Sequence, residues 1–166
     1  MLVIAHRGWS ARHPENTHAA FAAAAGLPGC DGFELDLRLA GDGTVVVCHD
    51  ATLARFGGGR TPIARAALPA LRARWPLPTL AEVLARYRRH ELWLELKPHG
   101  GARWTRRLAA AACALAEAHR ARVRILCFAP AVLAAVRARA PRLRLVRNAV
   151  GLSDAPAWWR ATAAAG

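Results

Sequence analysis

Short apolar runs alternate along this chain with longer stretches of helical character. The runs end at glycine or at polar residues, as buried strands do, and the stretches between them are rich in alanine, leucine and arginine. The pattern predicts parallel strands at 2–5, 32–39, 91–97, 122–128 and 143–146. It predicts helices at 18–25, 80–89, 105–119 and 130–140, and a last helix capped by Asp154. Strands and helices that alternate strictly predict an α/β fold with a parallel sheet.

Two departures from this alternation are predicted. A Gly-Asp-Gly turn followed by three valines indicates a hairpin, whose second arm at 44–48 returns antiparallel to the strand at 32–39. If the turn is centred between its last two residues, Asp36 faces His49. Residues 51–78 are rich in glycine and proline and predict a surface excursion, with one helical turn near 66–74.

Acidic residues are scarce in this chain, and their positions are informative. Of 11 acids, four lie on or directly after predicted strands: Glu34, Asp36, Asp50 and Glu95. Taken singly, each is better explained by pairing with one of the many arginines. Several carboxylates that converge would repel one another unless a cation lay between them, and hard divalent cations take oxygen ligands. Together with two histidines at the same end of the sheet, these acids predict a site for Ca²⁺ or Mg²⁺.

Histidines and basic residues complete the predicted site. His6 and His49 are candidates for general acid and base, because imidazole titrates near neutral pH. Alternation along the strand at 91–97 places Lys97 on the same face as Glu95, with the leucines on the opposite face toward the helices. Arg7 and Lys97 are the candidates for holding a phosphate, and Lys97 is the only lysine in the sequence.

Composition narrows the class of protein. The 166 residues are 54% apolar and 21% charged, which indicates one globular domain over residues 1–166. The net charge of +13 comes from arginines spread along the chain rather than from one basic patch. We therefore expect no nucleic-acid partner, but a general attraction for anionic substrates or anionic lipid surfaces.

The sequence also bears on compartment and thiol chemistry. The N-terminus lacks the basic lead and apolar core of a secretory signal, and no apolar run reaches the length of a membrane span, so a cytoplasmic location is expected. Cys30, Cys48, Cys113 and Cys127 show no paired spacing. They are predicted to be buried free thiols rather than disulfides or metal ligands.

A series of short motifs resembles the glycerophosphodiester phosphodiesterase family, in the same order and with similar spacing over roughly residues 3–130. The motifs are His6-Arg7-Gly8, Pro14-Glu-Asn-Thr17, Glu34-Leu-Asp36, Asp42-Gly43, Val46-Val47-Cys48-His49-Asp50, Pro78-Thr-Leu80 and Glu95-Leu-Lys97. Each motif is weak alone, but the series is specific. The resemblance implies a barrel of the TIM type that hydrolyses glycerophosphodiesters to glycerol 3-phosphate and an alcohol with a divalent metal.

The resemblance also implies a role for each matched position. Glu34, Asp36 and Glu95 would hold the metal, and His6 and His49 would act as acid and base. Arg7 and Lys97 would hold the phosphate of a small-molecule glycerophosphodiester. These roles coincide with those inferred from residue type and strand parity.

The number of predicted elements departs from the family pattern. A TIM-type barrel uses roughly 250 residues and eight βα units, whereas this sequence predicts about five units, so an incomplete, C-terminally short barrel is expected. Two other arrangements stay open: closure by pairing with another copy as a homo-oligomer, and a C-terminal part folded unlike the family.

Three alternative functions also stay open. A sphingomyelinase-type phospholipase D has a similar arrangement of two histidines and Glu-x-Asp, although the Pro-Glu-Asn-Thr and Glu-Leu-Lys motifs favour the first family. The chain could instead be an inactive remnant that binds phosphodiesters or anionic surfaces without turnover. A basic nucleic-acid binder comes last, because no binding motif is present.

Overall fold

The computed structural model describes residues 1–99 and 101–149. Its strands are β1 Ile4–His6, β2 Gly32–Leu39, β3 Val45–Val47, β4 Glu91–Leu96, β5 Val123–Cys127 and β6 Arg144–Arg147. Its helices are α1 His18–Ala25, α2 Leu68–Arg72, α3 Leu80–Arg86, α4 Gly101–Ala116 and α5 Pro130–Arg139, with 3₁₀ turns at Ala54–Phe56, Ile63–Arg65 and Glu117–His119. The predicted helix capped by Asp154 lies outside the described residues.

The strands form one sheet in the order β1-β2-β4-β5-β6, and neighbouring strands along this path are parallel. β3 pairs antiparallel with β2. The α/β prediction of five parallel strands with one antiparallel return is therefore confirmed. Within the described residues β1 and β6 are the two ends of the path, so the described sheet is open.

Alternation along β4 separates the core from the candidate site. Leu92, Leu94 and Leu96 are almost fully buried and share one apolar cluster with Leu108 and Ala112 of α4. Burying a leucine in this way contributes about 1.5–3 kcal/mol relative to leaving it exposed. The intervening side chains of β4 face the other side of the sheet, which confirms the predicted parity.

The hairpin register differs from the prediction by one residue. Leu37 pairs with Val47, and the backbone N–H of Cys48 donates to the carbonyl of Asp36 at 2.9 Å. Cys48 rather than His49 therefore stands opposite Asp36. The register shifts because the hairpin turn spans three residues, 41–43, instead of two, and Gly43 takes a φ of +90°. A shift of one residue exchanges the faces of every side chain on the second arm.

Residues 51–78 are more ordered than a simple surface excursion. They contain two 3₁₀ turns and α2, and they bury a second apolar cluster under β3. Its members include Val46, Leu53, Ile63, Leu71 and Leu77. This segment therefore packs against β3 through an apolar cluster of its own.

Helix ends follow the expected capping chemistry. The Thr17 hydroxyl accepts a hydrogen bond from the N–H of Ala20 and caps α1. Thr79 and Glu82 form a capping box at the start of α3, where each side chain accepts a backbone N–H of the other. α3 ends at Arg86, three residues earlier than predicted, because Tyr87 leaves the helical conformation.

The structure also tests the predictions that the cysteines are free thiols and that the chain contains no membrane span. All four cysteines are free, and Cys48, Cys113 and Cys127 are buried whereas Cys30 is partly exposed. None of the helices in residues 1–99 and 101–149 combines the length and apolarity that crossing a bilayer requires.

Candidate active site

Three buried carboxylates converge on the face of the sheet opposite the helices. Glu34 and Asp36 are two residues apart on β2, and Glu95 on β4 is the register partner of Asp36. One oxygen from each carboxylate lies within 4.8 Å of the others. Asp36 is fully buried, and Glu34 and Glu95 are nearly so. The strand parity that places them there follows from the alternation of polar and apolar residues.

The electrostatics of this group favour a cation. Burial, followed by repulsion from Asp36 and Glu95, raises the pKa of Glu34 to about 8, although the guanidinium of Arg7 acts in the opposite direction. The Oε1 atom of Glu34 and the Oδ1 atom of Asp36 are buried without a hydrogen-bond donor in the described part of the chain. Three converging carboxylates, two of which have such an oxygen, are a hard donor set that fits Ca²⁺ or Mg²⁺.

Arg7 and Lys97 contact the same carboxylates. Lys97 Nζ lies 2.5 Å from Glu95 Oε1 and 3.1 Å from Asp36 Oδ1. Arg7 Nε lies 3.0 Å from Asp36 Oδ2, as an ion pair rather than an aligned hydrogen bond. The predicted phosphate-binding residues therefore meet the predicted metal-binding residues directly.

His6 lies at the edge of the carboxylate group. It ends β1 as the register partner of Glu34, and its Nε2 lies 3.7 Å from Glu34 Oε2. Its side chain is 67% exposed, so solvent and a small molecule can reach the ring. The sharp turn that follows places Arg7 at φ 58° and lets its N–H donate to the carbonyl of Glu34 at 3.0 Å.

His49 follows β3 and is held by both its main chain and its ring. Arg38 donates to the His49 carbonyl through Nε at 2.8 Å and also through Nη2. The His49 Nδ1 lies 2.9 Å from Asp50 Oδ1. An acceptor at Nδ1 favours the tautomer that leaves Nε2 with a free lone pair.

An ionic network links His49 to the carboxylate group. Arg55 donates to Asp50 Oδ2 at 2.8 Å and to Glu15 Oε1 at 2.6 Å. Glu15 in turn accepts from Arg7 Nη1 at 3.1 and 3.2 Å. The hydrogen bond from Arg55 is the main cause that lowers the pKa of Asp50, to about 2, and it also lowers the pKa of Glu15.

Asn16 is a further polar residue that contacts the site. It is buried, its Nδ2 donates to Asp36 Oδ2 at 2.8 Å, and its Oδ1 accepts the Asp36 backbone N–H at 3.3 Å. Its φ of 57° is left-handed, a conformation that asparagine tolerates better than most residues. The sequence placed Asn16 only within the Pro14-Glu-Asn-Thr17 motif, and its contact with Asp36 is seen only in the structure.

The structure thus brings six of the seven predicted site residues into direct contact, and connects the seventh, His49, through the ionic network. Sequence reasoning missed the site contacts of Glu15, Asn16, Arg38 and Arg55. The sequence did contain a signal for Arg38, because Arg38 lies two residues after Asp36 on the same strand and so faces the same side of the sheet as Glu34 and Asp36. Asp50, counted among the predicted acids, contacts His49 and Arg55 rather than joining the three carboxylates.

Comparison with known proteins gives a consistent result. The family model of the glycerophosphoryl diester phosphodiesterase family matches residues 6–166. A glycerophosphodiester phosphodiesterase of Caldanaerobacter subterraneus subsp. tengcongensis is 57% identical over 58 residues, which are 35% of this chain and 24% of that protein. Glycerophosphodiester phosphodiesterase 1 of Mus musculus is 38% identical over 112 residues, which cover 58% of this chain and 34% of that protein.

Solved structures show the same likeness. A Thermotoga maritima glycerophosphodiester phosphodiesterase superposes with a TM-score of 0.79 at 25% identity, covering 99% of this chain and 70% of that one. An Oleispira antarctica phosphodiesterase, in complex with the product sn-glycerol-3-phosphate, gives a TM-score of 0.80 at 27% identity, covering 99% and 71%.

The matches to the curated relatives span about a quarter to a third of those proteins. The family match covers nearly the whole of this chain, and the open sheet corresponds to part of the TIM-type barrel of these solved structures, as predicted. The chain belongs to the glycerophosphoryl diester phosphodiesterase family.

Proposed function

We propose that this protein hydrolyses glycerophosphodiesters to glycerol 3-phosphate and an alcohol, and that the reaction depends on a divalent cation. The observation that carries the proposal is the convergence of Glu34, Asp36 and Glu95, with Arg7 and Lys97 in contact with them. Membership of the family supports the reaction class. The product named for the Oleispira antarctica neighbour supports glycerol 3-phosphate.

In this proposal Glu34, Asp36 and Glu95 hold Ca²⁺ or Mg²⁺. The bound ion supplies positive charge that polarises a phosphoryl oxygen. Arg7 and Lys97 bind the remaining phosphate oxygens, because a guanidinium pairs with two oxygens at once and an ammonium acts as a point charge. Asn16 and Lys97 keep the Asp36 carboxylate in place by direct contact.

The two histidines carry the proton transfers. One imidazole accepts the proton of the attacking oxygen, and the other donates a proton to the departing alkoxide. His49, whose Nδ1 faces Asp50, presents Nε2 for this work, whereas His6 offers an exposed ring beside Glu34. The family resemblance points to the 2-hydroxyl of the glycerol itself as the first attacking oxygen, which would expel the alcohol and leave a cyclic phosphate. Attack by water on that cyclic phosphate would then open the ring to glycerol 3-phosphate, with one imidazole taking the proton of the water and the other returning a proton to the 2-oxygen.

The remaining properties of the chain are proposed on sequence grounds. Residues 1–166 act as one domain, and the net charge of +13 favours small anionic substrates and a weak attraction to anionic lipid surfaces.

Release of glycerol 3-phosphate from glycerophosphocholine, measured with and without a chelator, tests the proposal. We expect His6→Ala and His49→Ala each to lower kcat by about 10²-fold or more. His119→Ala is the matched control, because that histidine lies in the 3₁₀ turn after α4 and contacts Arg122 instead. Full activity in either site variant, or the same rate with and without chelator, would contradict the proposal.

A further inference from the structure

Arg55 joins two carboxylates that come from different parts of the chain. It lies in the 3₁₀ turn Ala54–Phe56, and it reaches Asp50, five residues earlier, and Glu15, forty residues earlier. Nε donates to one carboxylate and Nη2 to the other. The planar guanidinium fixes the angle between its donors, so one side chain sets the positions of both acids.

Each of these carboxylates holds a residue of the proposed site. The second oxygen of Asp50 faces His49 Nδ1 at 2.9 Å. Glu15 accepts from Arg7 Nη1 with both of its oxygens. Arg55 is therefore the common partner of the groups that orient His49 and Arg7, although it does not itself contact the three converging carboxylates.

Arg55 is itself restrained. Its guanidinium lies 4.7 Å from the centroid of the Phe56 ring, and Phe56 stacks on Trp75 with centroids 4.5 Å apart. A single exposed ion pair contributes little, and the Arg55 side chain is 47% exposed. Two charged hydrogen bonds together with a cation–π contact form a network, which restricts the side chain more than one pair does.

We propose that Arg55 is a positioning residue that holds His49 through Asp50 and Arg7 through Glu15, a role that rests on the function proposed above. Through Asp50 it keeps the His49 ring in the orientation that presents Nε2. Through Glu15 it keeps the Arg7 guanidinium beside Asp36. Arg55 therefore affects both proton transfer and phosphate binding without touching the substrate.

Steady-state kinetics on glycerophosphocholine with excess Mg²⁺ or Ca²⁺ test this role. We expect Arg55→Gln to lower kcat about tenfold, the lower end of the range for partners that orient site ligands. Arg55→Lys, which keeps the charge, should lose less. Asp50→Asn should lower mainly kcat, and Glu15→Gln should raise mainly KM.

Arg72→Gln is the matched control. Arg72 has similar exposure, at 38%, and likewise donates to two acceptors, Glu82 Oε2 and the Leu77 carbonyl, but in another part of the molecule. Its kcat should equal that of the wild type even if its melting temperature falls as much as that of Arg55→Gln. A kcat in Arg55→Gln within twofold of the wild type would overturn the proposal.

The double variant Arg55→Gln/Asp50→Asn separates positioning from a general loss of structure. If Arg55 acts through Asp50, the double variant should have nearly the kcat of Asp50→Asn alone, since residues that act as a unit are not additive. Losses that multiply would refute the link.

A measurement without turnover keeps this role distinct from the proposed reaction. The ring ¹⁵N signals of His49, assigned by their absence in His49→Gln, should show the Nδ1–H tautomer in the wild type and a mixture in Arg55→Gln. An inactive wild type that still shows this change would refute the proposed function and leave the link from Arg55 to His49 supported. Unchanged ¹⁵N signals would refute the link itself.

Discussion

Replacing Gly8 with alanine tests the turn that places His6 and Arg7. Gly8 has φ +78°, and a Cβ there would lie 2.7 Å from the carbonyl carbon of Ala20 and 2.9 Å from its Cβ. α1 cannot easily retreat, because its Ala20 carbonyl accepts the N–H of Trp9 at 2.9 Å. Left-handed backbone costs a non-glycine residue about 1–2 kcal/mol, and forcing atoms into a filled space costs about 1–3 kcal/mol.

We therefore expect Gly8→Ala to lower the free energy of unfolding by about 2–5 kcal/mol, the sum of these two costs. Gly29→Ala is the matched control, because Gly29 has nearly the same φ of +79° but no atom within 4 Å of the added Cβ. It should cost only the backbone strain, about 1–2 kcal/mol. Urea unfolding followed by circular dichroism measures both variants.

The difference between the two variants isolates the close approach of β1 and α1. If Gly8→Ala is destabilised no more than Gly29→Ala, within about 0.5 kcal/mol, then the turn relaxes freely. The reasoning that Gly8 sets the approach of α1 behind His6 and Arg7 would then be refuted.

Three further predictions follow from other contacts. Thr79→Ala removes the cap of α3 and should lower the free energy of unfolding, measured in urea, by about 1 kcal/mol. Thr105→Ala is the control, because the Thr105 hydroxyl donates to a carbonyl within α4 and caps no helix start. It should lower the free energy of unfolding less, and equal losses would contradict the prediction. The hydrogen bond from Arg72, followed by those from Thr79, lowers the pKa of Glu82 from 4.5 to about 2. The contribution of Glu82 to the free energy of unfolding is therefore complete above pH 4.5 and is lost as the pH falls toward 2. Glu82→Gln should flatten the pH dependence of the free energy of unfolding in that window, and an unchanged slope would refute this. Millimolar Ca²⁺ or Mg²⁺ should raise the melting temperature of the wild type but not of Glu34→Gln, and an equal rise in both would contradict a metal site at Glu34.

The strand-borne part of the site was predictable from the sequence because strand parity is a local property. Glu34 and Asp36 lie two residues apart in a strand that the pattern of polar and apolar residues alone delimits. Glu95 near the end of β4 and Lys97 directly after it repeat this spacing. Parallel pairing then brings the two strands together with no information beyond their order in the sheet.

The loop-borne part was not predictable, because it depends on geometry without a period. The three-residue turn of the hairpin moved His49 one position from the register expected of a two-residue turn. The contact of Arg55 with Glu15 spans forty residues and starts in a segment without helical or strand periodicity. The left-handed φ of Asn16, which directs its amide to Asp36, is likewise set by tertiary contacts.

Under the proposed function, the charges around Asp36 predict that the site would favour a diester over the monoester product. Three carboxylates meet two cationic side chains in the described part of the chain, which gives a net charge of −1 when all are ionised. A bound divalent cation would change this to +1, and a phosphodiester monoanion would bring the sum to zero. Glycerol 3-phosphate is a monoester with a charge of about −1.5 to −2 near pH 7, so it would leave excess negative charge among buried groups, where charge imbalance is costly. Under the function proposed above, the carboxylates that would hold the cation would therefore also favour release of glycerol 3-phosphate.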